Sequence, residues 1–267
     1  MTQRALLILT SHTTLGNTGR GTGFYYDEMA APYWTIRDLG WDVTLASVTG
    51  GPGLADPKTL VEPDKRPPNV ARFMDDEEAM AALDSTLKAS NLNGSDYDCV
   101  FLPGGHGAMW DFDTQTVGQI VTDAWAAGAI VGAVCHGPSG LLQAKETNGD
   151  PLVRNKRVNS FTNRETEQIE LIGVEPFLLE TRLRESGALF ECSENFASHA
   201  VRDGRLITGQ DPQSTEAVCQ LLKESLEPHW RCATQWRYPL ARHQQRRKRT
   251  VWSGQFPALV HLARFAC

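Results

Sequence analysis

The sequence predicts an α/β fold, a mostly parallel sheet flanked by helices, and three observations carry that prediction. Apolar runs of roughly four to eight residues recur through the first 228 residues, each bounded by turn-forming residues. Longer amphipathic stretches alternate with them, the order that βα units impose. One run, "GAIVGAVCHGPSGLL" (Gly128–Leu142), ends on a cysteine and a histidine set between glycines, as at a sharp strand-to-helix turn that presents a nucleophile.

Along the chain, "RALLILTS" (Arg4–Ser11) reads as a first buried strand. "YYDEMAAPYWTIRDLG" (Tyr25–Gly40) reads as a helix, with carboxylates in the first turn where the helix dipole favours them, Gly40 as its stop and Pro32 as a kink. "WDVTLAS" is a second strand. Glycine and proline dominate Val48–Asn69, which is expected to be a long loop of the kind that rims or covers a site. "DDEEAMAALDSTLKAS" is expected to be one helix. "YDCVFLPGGHGAMWDF" gives a strand and a glycine-rich turn, "TVGQIVTDAWAAG" a helix and "AIVGAV" the strand that leads to Cys135. Beyond it, "PFLLETRLRESG" is a helix, "ALFECSE", "ASHAVRDG" and "RLITG" are strands, and "STEAVCQLLKESL" is the closing helix.

With 267 residues and 41% hydrophobic content the chain can bury a full core, and one globular body over residues 1–228 is expected. No apolar run approaches the length of a membrane helix or a secretory signal, so a cytoplasmic protein is expected. Six scattered cysteines without a CxxC pair suggest neither a zinc cluster nor a disulfide framework. The net charge of −6 hides an asymmetry: residues 1–228 hold all 32 acidic and 18 of the 26 basic residues, whereas 229–267 holds the other eight and no acid. That last segment, with three of the seven tryptophans and the cluster Arg246–Arg249, reads as an appended extension. Nucleic-acid binding by it is the weaker reading.

A parallel sheet binds ligands beyond the carboxyl ends of its strands, so the turns Pro103–Gly107 and Cys135–Gly137 should share one rim. Gly132, Ala133 and Gly137 leave room for a tight turn at Cys135, and a following helix terminus would lower the thiol pKa. Taken alone, Cys135 reads equally well as a buried apolar residue. Its company favours chemistry: adjacent His136, a second glycine turn with free amides, and Glu28 at the opening of the first helix. Glu28 could instead serve only the helix dipole, His136 could pack, and His106 could be a surface turn residue rather than part of a substrate pocket. Trp110, Tyr25 and Tyr26 are read as core.

The segments "AVCHGPSGLL", "FLPGGHGAMWD", "TGFYYDEMAAPYWTIRDLGWDVTLASVTGG" and "SFTNRETE…PFLLETRL…DGRLITGQDPQS" together resemble the ThiJ/PfpI superfamily, in its heat-shock-inducible glyoxalase III-like branch, over about Arg4 to Leu226. The resemblance implies a flavodoxin-like fold, similar to that of class I glutamine amidotransferases, with a nucleophile elbow. It implies Cys135 as nucleophile, His136 as general acid or base, and Glu28 hydrogen-bonded to thiol or substrate. A third acid should follow "SFTN", with Glu165 preferred over Glu167. The backbone amides of Gly105 and His136 would form the oxyanion hole, and His106 would border the substrate. The implied activity converts a 2-oxoaldehyde such as methylglyoxal into a 2-hydroxy acid without metal, cofactor or glutathione, in a homodimer, with a deglycase-like protective role alongside. Two alternatives stay open: an amidase or peptidase, although no separate histidine–glutamate motif of the amidotransferase type is found, and a redox sensor or holdase chaperone.

Overall fold

Every residue of β1 (Arg4–Leu9) after Arg4 is buried, as expected for a central strand covered on both faces. This computed structural model describes residues 2–227; the expected boundary at 228 and the extension 229–267 lie outside the described residues. β1 pairs in parallel with β2 (Asp42–Ser47) on one side and with β4 (Cys99–Leu102) on the other. β5 (Ile130–Val134) continues the parallel order, followed by β9 (Leu206–Gly209), and β8 (Ala200–Asp203) closes that edge antiparallel. A short β3 (Leu87–Lys88) forms the far edge, giving the order β3-β2-β1-β4-β5-β9-β8. The expected mostly parallel, helix-flanked sheet is what the chain builds.

Alternation along the strands divides the core in two. Leu6, Ile8, Val100, Leu102, Val131 and Ala133 face α5 (Gln115–Ala127) through Val117, Val121 and Ala124. Leu7, Leu9, Phe101 and Val134 face α1 (Tyr26–Arg37) and α8 (Thr215–Leu226) through Met29, Tyr33 and Leu222. Each large apolar side chain buried in this way contributes about 1.5–3 kcal/mol. α1 runs on through Pro32, which is buried and leaves the Glu28 carbonyl without a helical N–H partner.

The structure departs from expectation in three places. The helix expected over "DDEEAMAALDSTLKAS" is α3 (Glu77–Asp84), which stops because Thr86 exchanges backbone hydrogen bonds with Gly51 and donates its hydroxyl to Ser47, drawing the next residues into β3. α2 (Pro68–Asp75) begins inside the expected loop, started by Pro67 and Pro68 and anchored by buried Val70 and Phe73. "ALFECSE" yields only β7 (Leu189–Phe190), which pairs with β6 (Arg157–Val158) in a separate two-stranded sheet. Three further short helices are α4 (Ala108–Asp111), which follows β4, and α6 (Asn163–Gln168) and α7 (Leu179–Glu185), which follow β6. Among the described residues no helix is long and apolar enough to cross a membrane.

Candidate active site

Cys135 follows β5 directly and takes φ +58°, a left-handed conformation that costs a non-glycine residue about 1–2 kcal/mol. The turn holds that strain from both sides. The Cys135 N–H donates to the Gly209 carbonyl of β9, and its carbonyl accepts from Phe161 N–H, both at 2.9 Å. The next residues form a 3-10 turn, Gly137–Leu141, packed so tightly that a Cβ on Gly137 would lie 2.0 Å from the Leu102 carbonyl.

The turn after β4 reaches the same place. Gly104 donates its N–H to Glu28 Oε2 at 2.9 Å. A Cβ there would lie 2.6 Å from that oxygen and 2.8 Å from Cys135 Cβ, so only glycine fits between carboxyl and thiol. Gly105, at φ +104°, admits no side chain either, since its Cβ would strike the Gly23 carbonyl at 2.2 Å. From that position the Gly105 N–H hydrogen-bonds the cysteine sulfur.

Cys135 Sγ lies 3.1 Å from His136 Nδ1. His136 Nε2 in turn lies 3.1 Å from Glu175 Oε1, the oxygen that also contacts His106 Nδ1 at 2.8 Å. The two imidazoles are 4.5 Å apart, and Phe161 stacks on His136. Cys135, His136, Glu28, Gly105 and His106 therefore converge as the sequence suggested. The carboxylate beside His136 is Glu175, not Glu165 or Glu167. Glu165 is the N3 member of a capping box at the start of α6, accepting from the Thr162 N–H and hydroxyl, and its other oxygen accepts from Phe196 N–H and Gln210 Nε2. Glu167 lies on the exposed part of the same helix. Glu175 stands in the irregular segment between α6 and α7, where neither period nor motif singles it out.

The electrostatics follow from burial. Glu28 is fully buried, which pushes its carboxyl up to about 8 against the opposing effects of the nearby Cys135 thiol and the hydrogen bond from the Gly104 N–H. Burial also drives the Cys135 thiol well above its ordinary value, and neighbouring Glu28 drives it further. This reverses the expected lowering by a helix terminus: the segment that follows is a single tight turn, and desolvation outweighs its dipole. Burial alone would raise Glu175, but the two histidines outweigh it and hold this carboxylate at about 2. Burial, with His136 nearby, lowers His106 to about 4, so His106 is neutral and donates its Nδ1 proton to Glu175.

A cavity of about 180 Å³ opens over Cys135 and is walled by His106, Phe161, Phe196, Tyr25 and Lys58. Tyr25 thus lines the site, whereas Tyr26 is core as expected and Trp110 stacks on His12. Lys58, which sequence reasoning passed over, comes from the loop expected to rim a site. His106, His136 and Glu175 are also a group with ligand atoms close enough to hold a metal ion. A bound ion would have to displace the proton that His106 gives Glu175, and on His136 Nε2 it would leave the ring proton on Nδ1, the atom that faces the thiol.

The DJ-1/PfpI family is matched over residues 22–225. Glyoxalase 3 of Candida albicans is 31% identical over 224 residues, covering 79% of this chain and 93% of the relative. The glutathione-independent glyoxalase hsp3102 of Schizosaccharomyces pombe is 28% identical over 222 residues, 78% of this chain and 90% of that protein. The crystal structure of glyoxalase III from Candida albicans superposes with a TM-score of 0.76 at 28% identity, covering 84% of this chain and 98% of that one.

Proposed function

We propose that this chain, a member of the DJ-1/PfpI family, is a glutathione-independent glyoxalase that converts small 2-oxoaldehydes such as methylglyoxal into 2-hydroxy acids. The observation that carries the reading is the Cys135 thiol held between His136 Nδ1 and a Glu28 carboxyl that titrates at about 8. A base for C–H abstraction works best with a pKa close to the operating pH, and burial gives Glu28 that property.

The thiol gives its proton to His136 Nδ1 as sulfur bonds to the aldehyde carbon, and the Glu175 carboxylate steadies the imidazolium at Nε2. The Gly105 N–H meets the oxyanion that forms. Ionised Glu28 then removes the proton from the aldehyde carbon of the hemithioacetal. The electron pair moves to the neighbouring carbonyl, whose oxygen takes the proton held by His136; Glu28 returns its proton to that carbon, and the first oxyanion collapses to the C=O of a thioester. Water releases the 2-hydroxy acid and the thiol. The aldehyde carbon is oxidised and the ketone carbon reduced within one molecule, so the balance needs one water and no external oxidant. A thiol held high by burial favours this guided deprotonation over spontaneous peroxide oxidation, which counts against a dedicated redox sensor. The proposal includes a cytoplasmic homodimer, to be checked by light scattering of the purified protein.

Purified protein incubated with methylglyoxal alone should produce lactate, and added EDTA should leave the rate unchanged. Absence of turnover by folded protein would refute the proposal, and a loss restored by zinc would reassign the His106–His136–Glu175 cluster as a metal site.

The two glutamates separate chemistry from structure. Glu165→Ala strips acceptors from several buried donors and should cost about 2–4 kcal/mol in urea unfolding, with kcat kept within about threefold at temperatures where it is folded. Glu175→Gln should lower kcat by about 10–100-fold. The opposite pattern would return the third-acid role to Glu165.

A further inference from the structure

The walls of the cavity over Cys135 differ sharply in access. Cys135 is 3% exposed and His106 and His136 are buried, whereas the Lys58 side chain is 47% exposed. The thiol thus lies on the floor and Lys58 at the mouth. A 2-oxoaldehyde whose aldehyde carbon reaches the sulfur directs its third carbon, and whatever that carbon bears, away from the floor.

Lys58 is held there by backbone. Asp56 caps the 3-10 turn Pro57–Thr59 by accepting from the Lys58 N–H at 3.0 Å, and its other oxygen accepts from the Thr22 hydroxyl at 3.1 Å. Phe24 and the loop exchange hydrogen bonds at Leu54 and Asp56, so closely that a Cβ on Gly23 would lie 2.2 Å from the Leu54 carbonyl. Lys58 Nζ lies 5.7 Å over the Tyr25 ring and 3.9 Å from Asp56 Oδ2, which is beyond hydrogen-bonding distance. The ammonium is therefore placed, with its donors still available to a ligand.

Asp56 and Glu175 contact Lys58 and His106, respectively, but no carboxylate is among the described residues that line the cavity itself. Among the described residues that line the cavity, Lys58 is the one lysine or arginine, and the lining His106 is neutral. Glu28 is mostly neutral at pH 7, so it does not repel an incoming anion. Resting on the glyoxalase reading, we infer that Lys58 is a specificity-determining residue and that the preferred substrates are 2-oxoaldehydes carrying an anionic substituent on the third carbon, a phosphate ester above all. The chemistry at sulfur is unchanged. One water is consumed, the aldehyde carbon becomes the carboxylate, and the phosphate stays attached.

The test compares hydroxypyruvaldehyde phosphate with methylglyoxal in wild type, Lys58→Met and Lys58→Arg. The readout is the ratio of the two kcat/KM values, because Lys58→Met can alter both. Wild type should favour the phosphate ester, and Lys58→Met should lower the ratio roughly 10- to 100-fold, chiefly through KM, the range of one charge-assisted hydrogen bond. Lys58→Arg should keep most of it. A second measurement needs no turnover: 3-phosphoglycerate, the product of such a reaction, should slow alkylation of Cys135 by iodoacetamide in wild type and not in Lys58→Met. A ratio unchanged in Lys58→Met, or no preference in wild type, overturns the inference while leaving the glyoxalase reading intact. If neither aldehyde is turned over, that reading fails, and the alkylation result alone decides the role of Lys58.

Discussion

Cys135→Ala is expected to abolish lactate formation from methylglyoxal, a loss of at least about 10⁴-fold, because the proposed covalent intermediate forms on this sulfur and no other described cysteine lines the cavity. The other free cysteines of the described region include Cys99 and Cys219, both buried, and Cys192 on the surface; the cavity lining includes none of them. Stability should change little, since alanine keeps the same positive φ and the hydrogen bonds to Gly209 and Phe161 are backbone bonds. Enzymatic lactate assay beside urea unfolding reads both effects. Residual turnover within tenfold of wild type would show that sulfur addition is not the route.

Glu28→Gln should separate activity from stability in opposite directions. Turnover should fall by about 10³-fold or more, since an amide cannot take the C–H proton. Stability should rise at alkaline pH. The Glu28 carboxyl titrates at 4.5 when free and at about 8 in the fold, so the folded protein prefers its neutral form. Its stabilising contribution is complete below about 4.5 and is lost as pH rises through 8. At pH 9 the wild type carries a buried carboxylate that glutamine avoids, a difference on the order of 3–5 kcal/mol. The glutamine oxygen can still accept from Gly104. Urea unfolding at pH 6 and pH 9 should show the variant gaining on wild type between the two, and a constant difference would mean that Glu28 titrates normally. By the same ionisation, wild-type kcat/KM should rise about tenfold per pH unit below 8 and level off above it.

The sheet was legible because parallel strands buried on both faces leave uninterrupted apolar runs, as in "RALLIL" and "IVGAV", and glycines mark their ends. The thiol, its histidine and Glu28 were legible because all three sit at the ends of such elements. Glu175 was not. It reaches His136 from an irregular segment, and Glu165, two residues past "TN", offers the more conspicuous carboxylate because capping boxes have a sequence signature while tertiary ion pairs have none. β3 was hidden for a related reason: its residues continue a good helical pattern, and only the tertiary bonds of Thr86 override it. The pKa of Cys135 was misjudged in direction because local sequence shows the turn that follows and not the depth at which it is buried.

The spaces left by Gly104, Gly105 and Gly137 say something about how such a centre can be transferred. The thiol, imidazole and carboxyls are ordinary groups, available on any scaffold. Their reach toward one another depends on three places where two backbones run closer than a methyl group allows. Copying the cysteine, histidine and glutamates onto another protein would carry the reagents without the room they need. A designer would do better to begin with the crossing of the two turns and add the side chains last.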